Sequence, residues 1–208
     1  MNVFKKIPAL LLIFTAAAIL ISSCKSTVPE VSEEDSEYFI PKEPVSRLIA
    51  ADGTRDADTL YRFFISHCKK NKLKAKAIAK LYIEECRTEG INSDVAFIQM
   101  CHETNFLQYG NLVKKQWNNF CGLGAINAEN PGLKFKTMRD GVRAHVQHLH
   151  AYGTTADVTL INEVIDPRYK YVNPRGKAPD IYGLTGTWAA DTGYSDKLDK
   201  FLAELEKF

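Results

Sequence analysis

Apolar residues return at helical spacing in one stretch after another of this chain, and nowhere do they alternate convincingly with the two-residue rhythm of a strand. Leu60, Phe63, Phe64, His67 and Cys68 form one stripe, Ile78, Leu81, Tyr82 and Cys86 a second, Val142, Val146 and Leu149 a third, and Leu198, Phe201, Leu202 and Leu205 a fourth. A chain patterned in this way buries helix faces against one another. The expected fold class is therefore all-α, with long loops and little or no β-structure. With 208 residues, 45% of them hydrophobic, the chain can fill one substantial core but not two enzyme-sized ones.

The helix ends can also be read. Asp56 or Asp58 can cap the first helix, which the pattern carries to about Asn71, and Gly90 can stop the second. Ser93 is the expected cap of a third helix, with Asp94 favourably placed at its positive end. Asp140 is the expected cap of the next, with Gly153 as its end. A short helix is expected around 160–165 and a last one from about Ser195. Between them, 106–136 and 166–186 are rich in Gly, Asn and Pro and read as irregular segments of the kind that carry function.

The first residues constrain location. Lys5 and Lys6 precede an apolar run from Ile7 to Ile21, the pattern of an export signal and shorter than the roughly 20 residues a spanning helix needs. Ile21, Ser22 and Ser23 before Cys24 resemble the lipobox of bacterial lipoproteins, which makes Cys24 the expected site of lipid attachment and residues 1–23 the expected signal peptide. Lys25 follows the cysteine where an aspartate would favour retention in the inner membrane, so the outer membrane is the expected anchor. Residues 24–58 are acidic and contain Pro29, Pro41 and Pro44, the composition of a tether, although Tyr38–Ile40 and Val45–Ala51 are apolar enough to pack on a domain. The folded domain is expected over 59–208.

Outside the signal and tether, 21 Lys and Arg stand against 16 Asp and Glu. This mild, dispersed excess of about +5 suits an anionic polymer such as cell wall and argues against nucleic acid. Cys68, Cys86, Cys101 and Cys121 remain beyond Cys24, with no CxxC pair, and read as small buried thiols. His145 and His148 could share a helix face as a zinc pair, but no carboxylate or cysteine at motif spacing completes such a site. No metal or other cofactor is expected.

The chemistry concentrates between Ala96 and Gly124. Ala96, Met100 and Glu103 fall on one helix face, because spacings of four and seven residues return to the same side. A carboxylic acid on the apolar side of a helix end is poorly hydrated when ionised, so its pKa rises and it can hold a proton near neutrality. Protonating a glycosidic oxygen needs such a group. Asn118 and Asn119 offer amide donors and acceptors, Phe120 and Trp117 offer aromatic faces, and Gly122 and Gly124 allow close approach of the backbone. The same residues would serve equally as a loop-stabilising pair beside a core aromatic.

Several linked blocks resemble the glucosaminidase domains of glycoside hydrolase family 73. They are Gln99-Met100 with His102-Glu103-Thr104, Trp117 to Phe120 with Gly122-Leu123-Gly124, Asp140 to Ala144 with Gln147-His148-Leu149 and Tyr152, Asp166 to Tyr169, Arg175-Gly176, and Trp188 to Asp191 ahead of Tyr194. These occur in the family's order across roughly 60–208. The resemblance implies a lysozyme-like helical scaffold, peptidoglycan glycan strands as substrate, and Glu103 as general acid; the oligomeric state is left open, with a monomer expected. It also implies a substrate-binding set of Gln99, Asn118, Asn119, Phe120, Gly122, Trp188 and Tyr194. The implied reaction is hydrolysis of the β-1,4 bond after N-acetylglucosamine. A lytic transglycosylase on the same scaffold, or a glycan-binding lipoprotein without activity, are the alternatives.

Two departures matter. Better-described members carry a β-hairpin lobe with a second acidic residue after the asparagine motif, whereas only 126–138 separates the motif from the next helix here, with Glu129 its one carboxylate. Many members also have a chemically implicated tyrosine where Trp188 stands. Either Asp191 or Glu129 would then activate water as a second catalytic carboxylate, or the substrate's 2-acetamido group would attack in its place.

Overall fold

A computed structural model describes residues 43–208. Five α-helices make up the body: α1 (Ala57–His67), α2 (Lys72–Glu89), α3 (Ser93–Glu103), α4 (Met138–Gly153) and α5 (Tyr194–Leu205). Short 3-10 turns occur at Lys115–Trp117, Tyr169–Tyr171 and Tyr182–Leu184. No strand forms among the described residues, only isolated bridges at Leu48–Asp180, Ala125–Pro131 and Thr185–Ala189. The all-α expectation holds. The helix expected around 160–165 does not form: that segment is irregular and is held by Glu89, which accepts hydrogen bonds from the Ile161 and Asn162 amides.

Helix α3 is the hub. Every residue from Ser93 to Cys101 is buried, so α3 lacks the single core-facing stripe expected of it and is packed from all sides. Helix α2 lies against α1, α3 and α4, and α5 covers α3 from another side. Tyr82, Phe97, Ile98, Met100 and Phe120 are among the large side chains fully withdrawn from solvent. Cys68, Cys86, Cys101 and Cys121 are buried free thiols, as expected.

Two caps differ from the expected ones, for identifiable reasons. Asn92, not Ser93, caps α3: its Oδ1 accepts from the Asp94 and Val95 amides, while its Nδ2 donates to the Ser46 and Leu48 carbonyls. Thr137, not Asp140, caps α4, and Asp140 closes a reciprocal capping box by accepting from the Thr137 amide. In the first helix Asp56 is the cap, accepting from the Thr59 amide at 2.7 Å. Its pKa is held below the usual range, first by that backbone bond.

The expected tether ends well before residue 58. Val45 and Ile49 are buried in the core, as the apolar run Val45–Ala51 allows. Arg47 pairs with Asp199 and Glu206 of the last helix and its end, and buried Asp94 accepts from the Thr54 and Arg55 amides. Residues 45–56 thus form part of the domain wall. Residues 1–42, with Cys24, lie outside the described residues. Among the described residues no helix is long and apolar enough to cross a membrane.

Candidate active site

Helix α3 stops immediately after the residue that matters. Asn105, Phe106, Leu107 and Tyr109 all adopt positive φ, a left-handed run that non-glycine residues rarely adopt. Thr104 braces the reversal, accepting from the Leu107 amide at 2.9 Å while its hydroxyl donates to the Met100 carbonyl. The chain turns away from the helix axis and leaves the Glu103 carboxyl at the mouth of a cleft.

That cleft is about 340 Å³, and His102, Asn105, Tyr109, Asn111 and Leu112 contribute to its wall with Glu103 and Gly122. A second hollow of about 290 Å³ adjoins it. The two share Cys121, Gly122, Ala125 and Trp188, and together they make a groove. Gly122 has φ +69, and a Cβ placed there would sit 3.9 Å from Glu103 Oε2. The absence of a side chain therefore keeps the space beside the acid open.

Two donors meet on one oxygen of Glu103. Tyr194 donates its hydroxyl to Oε1 at 2.5 Å, and the Trp188 indole Nε1 donates to the same oxygen at 3.0 Å. Burial pushes the Glu103 carboxyl above its usual pKa, and the two donors pull it partway back. Trp188 has no hydroxyl to offer; Tyr194 supplies one instead. The indole rests against α4, its ring centroid 5.8, 5.2 and 5.1 Å from those of His145, His148 and Tyr152. These three residues share a helix face through i, i+3 and i+7 spacing.

Several expected substrate contacts have other duties. Asn119 is fully buried and spends its amide on the loop: Nδ2 donates to the Leu123 and Leu133 carbonyls, and Oδ1 accepts from the Leu123 amide at 2.9 Å. Asn118 donates to the Phe135 carbonyl, and Phe120 is entirely in the core. Gln99 and Tyr194 are buried behind Glu103, and Gln99 donates to the tyrosine oxygen. Of the expected set, Asn119, Gly122 and Trp188 line the groove, Asn119 with its amide already spent on the loop, whereas Gln99, Asn118, Phe120 and Tyr194 lie outside its lining.

The structure does not bring either candidate second carboxylate into the groove. Asp191 is exposed and engaged by Lys197 and the Gly193 amide, which hold its pKa low. Glu129 is exposed on the tight turn closed by the Ala125–Pro131 bridge, at the place where the family resemblance implies a larger lobe. Sequence reading placed 106–112 in a function-bearing irregular segment without naming its residues as a wall of the cleft, and it missed the pair formed by His148 and Asp166, 2.7 Å apart beside the second hollow. Asn105, Gly110 and Asn111, all within eight residues of Glu103, were the available signal for the wall.

A helical domain presenting one half-buried, doubly held carboxyl to an open groove has the architecture of a glycoside hydrolase. The comparisons agree: residues 79–207 match the glucosaminidase family, described as mannosyl-glycoprotein endo-β-N-acetylglucosaminidase, and the chain belongs to that family. It is also 34% identical over 198 residues to an uncharacterized protein of Borreliella burgdorferi, covering 95% of each chain. No solved structure matches it.

Proposed function

We propose that this chain hydrolyses peptidoglycan glycan strands at the β-1,4 bond after N-acetylglucosamine, with Glu103 as general acid and the substrate's own 2-acetamido group as nucleophile. The supporting observation is the Glu103 carboxyl, with Oε1 occupied by two donors and Oε2 on the Gly122 side, in a groove to which no other Asp or Glu among the described residues contributes. In this reading the Oε2 proton passes to the glycosidic oxygen as its bond to C1 breaks. The acetamido oxygen closes on C1 from the other face. Water then attacks C1 from the face the leaving group vacated, the bond from C1 to the acetamido oxygen breaks to restore the 2-acetamido group, and the water gives its proton to the Glu103 carboxylate, which restores the acid and retains the anomeric configuration.

Mass spectrometry of digested peptidoglycan tests the reaction. Reducing N-acetylglucosamine ends are expected; anhydro-muramic ends would identify a lytic transglycosylase instead. The same reading places the enzyme outside the cytoplasm, held to a membrane by lipid on Cys24, on the strength of the Lys5–Cys24 sequence. Cys24→Ser should move the protein from the membrane to the soluble fraction of cell extracts. Retention of the variant in the membrane would remove the lipid anchor from the proposal.

A further inference from the structure

Behind Glu103 runs a chain of buried hydrogen bonds that the proposed chemistry does not use. Tyr194 donates to Glu103 Oε1, and the tyrosine oxygen accepts from Gln99 Nε2 at 2.8 Å. Gln99 Oε1 lies 2.9 Å from His145 Nε2, and His145 Nδ1 lies 2.7 Å from the Tyr82 hydroxyl. Gln99, His145 and Tyr82 are fully withdrawn from solvent. They come from three helices, α3, α4 and α2.

An ionised carboxylate only accepts, so the Tyr194 hydrogen points at Glu103 and its oxygen must accept from the Gln99 amide nitrogen. That leaves Gln99 Oε1 facing His145, whose Nε2 must carry the ring hydrogen. Burial pushes the imidazole down to about 3, so it is neutral and has only that one hydrogen. Its Nδ1 therefore accepts from Tyr82, whose phenol burial pushes well up, keeping its hydrogen in place. Every donor points the same way, from Tyr82 toward Glu103, an arrangement in which each bond polarises the next.

Once Glu103 is protonated the opposite direction is also geometrically possible, with the proton on Oε1 donated to Tyr194, and then only the far end of the chain disfavours it. Reversal would flip the Gln99 amide and the His145 tautomer, turn the Tyr194 hydroxyl toward Gln99, and take a donor away from Glu103. It would also leave the Tyr82 hydrogen in the core with no acceptor among the described residues. We infer that Tyr82, His145 and Gln99 are positioning residues: the Tyr82 hydroxyl sets the direction of the chain, which keeps Glu103 Oε1 an acceptor and puts the transferable proton on Oε2, beside the groove. The inference rests on the reading of Glu103 as acid.

Other groups face this carboxyl and enter any titration of it. Cys121 approaches from the glycine loop, His102 flanks it on α3, His148 stands behind the indole on α4, and the Asp191–Lys197 pair lies at the rim near α5. None of them bonds to the chain from Tyr82, so the test isolates the relay by altering its remote end. The readout is the carboxyl ¹³C titration of Glu103 by NMR in wild type, Tyr194→Phe and Tyr82→Phe. Removing the tyrosine donor should raise the Glu103 midpoint by about 1 pH unit. Tyr82→Phe, which keeps the ring and loses only a hydroxyl at the far end of the relay, should raise it by a similar amount. In peptidoglycan turnover Tyr82→Phe should lower kcat several-fold with KM unchanged and move the alkaline limb upward with the titration.

If Tyr82→Phe titrates like wild type while Tyr194→Phe shifts, the relay ends at Tyr194 and the inference is wrong. Gln99→Met, which leaves the Tyr194 oxygen without its donor, makes the same test should Tyr82→Phe fold poorly. The titration needs no substrate. A wild type that cleaves nothing would therefore overturn the functional reading while leaving the relay to be judged on its own.

Discussion

Glu103→Gln is expected to lower kcat/KM on peptidoglycan by about 10³-fold, within the range that a positioned proton donor contributes. The replacement keeps an oxygen to accept from Tyr194 and Trp188 and removes only the transferable proton. Binding to cell-wall suspensions should persist. Equal, negligible turnover by wild type and variant, with both still sedimenting on the wall, would instead support a glycan-binding role. The variant should also be the more stable protein at neutral pH. Burial raises the Glu103 pKa in the folded state, so between the unfolded and folded values the native protein binds more protons than the unfolded chain. Stability then falls as pH climbs through that window, and Gln escapes the loss. Thermal melts of the two proteins should converge below about pH 4, the ordinary carboxyl range, and diverge above it; parallel curves would mean that the acid is not desolvated.

Gly141→Ala should cost about 3 kcal/mol of folding stability, measured by urea unfolding. A Cβ on Gly141 would lie 1.7 Å from the Asn118 carbonyl oxygen and 3.1 Å from the Phe120 ring. The first is backbone, so the start of α4 would have to part from the asparagine turn. Gly90→Ala is the useful comparison: Gly90 also needs its glycine, with φ +67 at the end of α2, but nothing lies within 4 Å of the added atom. Strain alone should cost it only about 1 kcal/mol. Equal losses in the two variants would show that the α4 contact is not tight. Because the asparagine turn leads directly into Gly122, Gly141→Ala should also disturb the groove.

Much of the helix frame was legible because helix formation is local. The stripes of α1, α2, α4 and α5 and the Asp56 cap and Gly90 stop depend on residues within a turn or two of each other. Where the reading slipped, a longer-range partner intervened. Asn92 displaced Ser93 as a cap while also reaching the 46–48 backbone, and 160–165 stayed irregular because Glu89 holds its amides. The same holds for Val45 and Ile49, whose burial depends on elements far along the chain.

The candidate site divides in the same way. Sequence alone singled out Glu103, because an acid at the end of an apolar helix beside a Gly- and Asn-rich segment carries its own physical meaning, and family resemblance gave it a role. Which groups touch it was decided by tertiary structure. Trp188 and Tyr194 lie 85 and 91 residues away in sequence, yet both reach the same oxygen. Asn119 and Phe120 look like sugar contacts in the sequence and are loop and core in the fold. A side chain's hydrogen-bonding capacity is a property of the residue, and what consumes that capacity is a property of the packing around it.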